Sequence, residues 1–210
     1  MKALGMIEVY GFPAAVSAAD IAAKTADVKV IAFDRNRPFG KFPVPLIMQV
    51  KIEGNVAAVR SAIDAAVAYA KSIDKYIVSH VIANPLGEVD KMAYKLDINK
   101  DKYNKKLPKT FLGLETPEVE NSSAIGMIEV DGLVAAIEGL DKMLKAADVK
   151  LIHSEKRLGG RLVTFIVAGS ISAVNSAVEA GKPAAAVLGK VYGEAIIANP
   201  HNEIMKFFDI

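Results

Sequence analysis

The chain has 210 residues, 52% of them hydrophobic and 24% charged, with a formal net charge of +2, no Cys and no Trp. That composition can bury a core, and it excludes disulfide scaffolds, thiol nucleophiles, cysteine-based zinc sites and iron–sulfur clusters held by the chain's own thiolates. A pI near 8.6 is far from that of a strongly basic nucleic-acid binder, and no apolar run approaches the roughly 18 residues that cross a bilayer. Glu8 falls where a signal peptide would be apolar. The expected setting is the cytoplasm, with neither nucleic acid nor membrane as partner.

The run Leu4-Gly5-Met6-Ile7-Glu8-Val9 is short, apolar and β-capable, and it stops at Gly11. Pro13 suits a first helical turn, and the alanines of 14–25 predict a helix. A strand over 28–33, a basic loop and a strand over 44–52 follow. Gly54-Asn55 supplies a turn and an N-cap for a helix over 56–70, on which Val56, Val59, Ile63 and Val67 share one face. A strand over 76–83 stops at Asn84-Pro85, and a short helix is expected around 86–92. Residues 94–122 are lysine-rich, carry Pro108 and Pro117, and read as a surface linker.

The pattern then repeats. Ile125-Gly126-Met127-Ile128-Glu129-Val130 restates residues 4–9 at an offset of 121, and Ala26-Asp27-Val28-Lys29 returns as Ala147-Asp148-Val149-Lys150. Further on the offset is 115: Gly54 pairs with Gly169, and Ile82-Ala83-Asn84-Pro85 with Ile197-Ala198-Asn199-Pro200. Copy one thus carries six extra residues between 31 and 54. The second copy predicts a helix over 133–146, with Leu133, Ile137, Leu140 and Leu144 at helical spacing, and strands over 149–152 and 162–168. A helix over 171–187 starts at the cap Ser170 and is expected to be shortened or kinked by Pro183. A strand over 191–198 and a helix over 202–207 close the chain.

The domains are therefore 1–93 and 123–210, joined by the linker. The order β-α-β-β-α-β predicts an α/β (α+β) fold, each copy a small antiparallel sheet with helices packed on one face.

Catalytic chemistry finds little support. His80, His153 and His201 form no metal-ligand spacing. His153 with Glu155 allows an acid–base pair or a structural one. Glu8 and Glu129 recur at equivalent positions, which favours a structural or interface role over acid–base work. Gly159-Gly160 leads into a strand, whereas a phosphate-binding glycine loop leads into a helix. No enzyme, cofactor or metal is expected. The unusual segments are the loops after the second strand of each copy, Asp34-Arg35-Asn36-Arg37-Pro38-Phe39-Gly40-Lys41 and Glu155-Lys156-Arg157-Leu158-Gly159-Gly160. Both are basic and contain glycine. Each is either a solvated hairpin or the rim of a site where several copies converge.

The motif order resembles the bacterial microcompartment shell domain: the Gly-Met-Ile-Glu strand, the Ala-rich helix with Asp20 and Lys24, Ala-Asp-Val-Lys, the glycine loop and Asn199-Pro200-His201. Two such domains in one chain resemble the tandem-domain shell proteins. The resemblance implies a homotrimer, a pseudohexagonal disc of six domains that tiles edge to edge with itself and with other shell proteins. It implies that the two basic loops surround a central pore for small polar or anionic metabolites. It also implies tile-edge contacts at Lys24 and Lys145, and at Asn84 and Asn199, where the family frequently carries Arg. The residues alone leave a second class open, a small-ligand-binding regulatory oligomer of α/β repeats.

Overall fold

The structure is a computed structural model that describes residues 2–36, 42–86, 89, 93, 123–159 and 161–208, without the side chains of 156–159. Copy one comprises β1 (Ala3–Tyr10), α1 (Phe12–Thr25), β2 (Val28–Asn36), β3 (Ile47–Gly54), α2 (Val56–Ser72) and β4 (Tyr76–Ile82). Copy two comprises β5 (Ala124–Asp131), α3 (Leu133–Ala146), β6 (Val149–Gly159), β7 (Leu162–Gly169), α4 (Ile171–Leu188), β8 (Val191–Ala198) and the short α5 (Asn202–Met205). Each copy folds a four-stranded antiparallel sheet, ordered β2-β3-β1-β4 and β6-β7-β5-β8. The first strand of each copy is central, so the two halves of a split β-α-β unit pair on either side of it.

Strand alternation assigns the two faces of each sheet. Gly5 and Gly126 point at the helices. A Cβ on Gly5 would lie 2.7 Å from Val59 and 2.8 Å from Ile63 of α2, and one on Gly126 would lie 2.6 Å from Val174 and 2.8 Å from Val178 of α4. The repeated glycine is therefore a spacing requirement: a helix sits directly on it. Gly126→Ala forces α4 off β5, and we expect a loss of about 1–3 kcal/mol, the usual cost of overpacking, measured as a lower urea midpoint at unchanged slope.

The helix starts follow from local chemistry. Asn55 and Ser170 accept hydrogen bonds from the backbone N–H groups of Ala58 (2.8 Å) and Ala173 (3.2 Å). Gly11 (φ 88°) and Gly132 (φ 95°) make the sharp entries into α1 and α3, a conformation that favours glycine.

Three expectations change. β2 and β6 run on to Asn36 and Gly159, well into the basic segments, because ladder pairing continues: Asn36 sits opposite Ile47, and Gly159 opposite Leu162. β3 begins at Ile47, not 44, since Pro43 and Pro45 flank its approach and Pro45 has no N–H to give a ladder. α4 continues through Pro183 to Leu188. Pro183 is exposed, so the carbonyl it deprives of a donor can turn to water. The linker at 94–122, and most of the short helix expected around 86–92, lie outside the described residues.

The apolar stripe of α3 also faces an unexpected way. Ala135, Ala136, Gly139 and Met143 pack inward, while Leu133 (48% exposed), Val134 (73%) and Ile137 (53%) look out. In α1 the positions 121 residues earlier, Phe12, Pro13 and Val16, are buried. The difference lies in what covers α1.

Candidate functional site

What covers α1 is copy two. One continuous apolar cluster holds Phe12, Val16 and Phe33 of copy one together with Ile125, Met127, Ile204 and Phe207 of copy two. Phe33 is its hinge-pin: the Phe12 ring meets it at 6.1 Å between centroids, and the Phe207 ring meets it edge-on at 5.0 Å. Apolar burial of this kind supplies most of the driving force for such a joint.

Five polar contacts fix its register. At the start of α1, the Phe12 N–H donates to Glu129 Oε1 on β5 at 3.0 Å. Asp20 Oδ1 accepts from the His201 N–H at 2.7 Å. Lys24 Nζ pairs with Asp20 Oδ2 at 2.5 Å and donates to the Ala198 carbonyl at 2.8 Å. The Val30 N–H, at an irregularity on the edge strand β2, donates to Glu203 Oε2 at 2.7 Å. Lys75 Nζ reaches the Tyr192 carbonyl at 3.4 Å. Each of these side chains bonds a backbone group of the other copy. Pro13 and Gly193 touch as well: a Cβ placed on Gly193 would lie 3.8 Å from the Pro13 Cβ.

Glu129 is fully buried, and that desolvation pushes its carboxyl up to about 7, against the lowering influence of the Phe12 N–H and of Lys75. Of the four tile-edge candidates, the joint therefore uses Lys24, with Asn199 adjacent to its acceptor Ala198. Asn199 adopts φ 45° and donates to the Ser123 carbonyl at 2.6 Å. Lys145 and Asn84 are exposed and are not brought together within the chain. Lys145 is paired with Asp141 at 2.7 Å, which holds its ammonium above the usual lysine range.

The basic segments start from buried acids. Asp34 pairs with Lys51 in a nearly dry setting, and Lys51 Nζ also donates to the Ala93 carbonyl at 3.3 Å. In copy two Glu155 occupies the place of Asp34 and lies 3.8 Å from His153, both buried. Arg35 and Asn36 are exposed at the end of β2. Lys156, Arg157, Leu158 and Gly159 complete the backbone of β6. Arg37, Pro38, Phe39, Gly40, Lys41 and Gly160 lie outside the described residues.

Sequence reasoning missed the contacts that Glu203, His201, Lys75 and Lys51 make. Glu203 and Lys75 left a trace, since their counterparts at the offset of 115 are Glu88 and Lys190. Among the described residues, no group of three His, Cys, Asp or Glu side chains is placed to hold a metal ion, and no helix is long and apolar enough to cross a membrane.

Comparison with known proteins matches the BMC domain family to residues 3–85 and 124–200, one match per copy. The carboxysome assembly protein CcmO of Synechococcus elongatus is 34% identical over 203 residues, 97% of this chain and 67% of that protein. The bacterial microcompartment shell protein PduA of Citrobacter freundii is 46% identical over 83 residues, 40% of this chain and 88% of its own length. The carboxysome shell protein CsoS1B of Hydrogenovibrio crunogenus is 48% identical over 86 residues, with the same two shares.

Proposed function

The chain belongs to the BMC-domain family of microcompartment shell proteins, and from that premise we propose that three copies close head to tail into a six-domain ring, a tile of a microcompartment shell in the cytoplasm. The observation that carries this reading is the joint inside the chain, because its repeat-related surfaces are exposed and complementary.

Applying the two repeat offsets turns every contact of the internal joint into one between chains. Phe12 with Glu129 becomes the Leu133 N–H with Glu8 of the next chain. Pro13 against Gly193 becomes Val134 against Val78, which are 73% and 49% exposed in the single chain. Asp20 with His201 becomes Asp141 with the Leu86 N–H, and Lys24 on the Ala198 carbonyl becomes Lys145 on the Ala83 carbonyl. The outward stripe of α3 thereby gains the cover that α1 already has. Such a head-to-tail contact joins two different surfaces, and it closes into a ring when its rotation divides a full turn.

In that ring each basic loop occurs three times around one axis. Like charges so placed repel, and a convergent ring of arginine and lysine attracts small anions by focusing the field. The pore of this reading is lined from Arg35 and Asn36 in copy one and from Lys156 and Arg157 in copy two, and it favours small anionic or polar metabolites. Neutralising Arg35, Arg37 and Lys156 together is expected to reduce anion passage through reconstituted shells; unchanged passage removes the pore from the account.

Sedimentation of the purified chain tests the ring. It should give three times the 22.4 kDa chain mass, with flat hexagonal discs by negative-stain microscopy. A monomer or a compact dimer at micromolar concentration contradicts it.

A further inference from the structure

The repeat explains where Glu129 sits but not why its second oxygen is left as it is. Glu129 Oε1 accepts the Phe12 N–H, while Oε2 is buried without a hydrogen-bond partner. Directly across the β5–β7 ladder, Thr164 Oγ1 is equally buried and equally without a partner. On the α1 side, a Cβ on Gly11 would lie 2.8 Å from Oε2, so the backbone of copy one closes over this oxygen. A carboxylate confined in this way carries charge on a buried atom that has no hydrogen-bond partner, which is costly; the neutral carboxyl avoids most of that cost.

We propose that Glu129 makes the joint between the two copies a proton-operated latch, tight when its carboxyl is neutral and loosened when the carboxyl ionises. The N–H of Phe12 is an acceptable donor to either form, so the register of α1 survives the change and its strength shifts. Among the described residues, the ionisable groups around Glu129 are few. Lys75 approaches from copy one ahead of β4, and α1 has no acidic residue in its first turn. On β5, Asp131 follows two residues along the same face and pairs with Arg161 at 3.4 Å. On β6, Glu155 lies beyond Thr164 in the same cross-strand row, with His153 beside it. On β8 the facing residue is Gly193, which is not ionisable.

The sign follows from linkage. A carboxyl whose folded pKa is raised binds its proton more readily in the docked, folded state than when exposed. Its stabilisation is fully present below about 4.5 and is lost as pH rises to about 7. The full-length chain should therefore unfold in urea with a folding constant that falls by up to about 300-fold across that window, the factor corresponding to this displacement. Glu129→Gln, which keeps the acceptor and fixes the neutral form, should remove that component of the pH profile and hold the joint at its low-pH strength. Carboxyl-carbon NMR of the glutamate-labelled wild type gives a reading that depends on no variant: one glutamate should titrate near neutral pH. A pH profile unchanged by Glu129→Gln overturns the latch, and so does a wild type in which no glutamate titrates above about pH 6. Neither result bears on the ring, since the joint tested lies inside one chain.

Discussion

Val134→Glu leaves the chain folded and dissolves the ring. Val134 stands in the first turn of α3 with 73% of its surface exposed, so the substitution costs the single chain nothing in packing. A carboxylate there even suits the positive end of the helix. In the proposed ring the same position would be pressed against Val78 of the neighbour and dried. Losing the burial of one valine removes roughly 1.5 kcal/mol or more per joint, and enclosing an unpaired carboxylate adds several kcal/mol. At about 4 kcal/mol per joint the association weakens about 1,000-fold, and a closed ring of three chains has three such joints. Sedimentation should show the single-chain mass, while the unfolding free energy from urea titration at high dilution, where the wild type is also dissociated, stays within about 0.5 kcal/mol of wild type. A Val134→Glu protein that still sediments as three chains removes this face from the interface.

The second large effect lies at the base of the copy-one loop. Lys51 is 4% exposed, and its ammonium has two partners, Asp34 and the Ala93 carbonyl. Asp34→Ala leaves a buried cation on one neutral acceptor, and breaking a buried pair from one side typically costs about 3–5 kcal/mol. Replacing both partners, Asp34→Ala with Lys51→Met, should recover most of that loss, because an apolar pair of similar volume needs no compensating charge. Urea titration of the two variants measures the difference directly. An Asp34→Ala protein within about 1 kcal/mol of wild type would mean that Lys51 reaches water or another acceptor. The pair also bears on the proposed pore, since it lies at the end of β2 beside the exposed Arg35 and Asn36.

Much of the fold was legible because it rests on local rules. The twice-written Gly-Met-Ile-Glu strand, the caps Asn55 and Ser170, and the alternation of apolar residues each fix an element without reference to distant parts. The strand ends were harder to read. Arg35, Asn36 and the residues after Glu155 look like loop by composition, but a hairpin goes on pairing while its backbone groups find partners, whatever the side chains carry. Pro183 misleads for a related reason, since on an exposed face the carbonyl it leaves without a donor can turn to water.

The joint was legible only in part. Periodicity puts Leu133, Ile137, Leu140 and Leu144 on one stripe of α3, but it cannot tell a stripe that meets its own sheet from one that meets another chain. Here Ala135, Ala136, Gly139 and Met143 face inward with Leu140 packed against them, while Leu133, Val134, Ile137 and Leu144 look outward. Contacts such as His201 with Asp20 or Val30 with Glu203 join residues more than 170 apart and leave no local pattern. Glu129 is visible as a repeated acid, but its place at the joint comes from the Phe12 N–H that donates to it.

The absence of cysteine permits a direct test of whether the joint inside the chain is the template for the joint between chains. A Cβ on Gly193 would lie 3.8 Å from that of Pro13, within the range that a disulfide spans, so Pro13→Cys with Gly193→Cys serves as the internal control. The repeat-related pair is Val134→Cys with Val78→Cys. On mild oxidation of that variant, non-reducing electrophoresis should show two-chain and then three-chain species, ending at three, and neither single variant should form the ladder. A product that stops at two chains, extends past three, or remains a single chain contradicts the account.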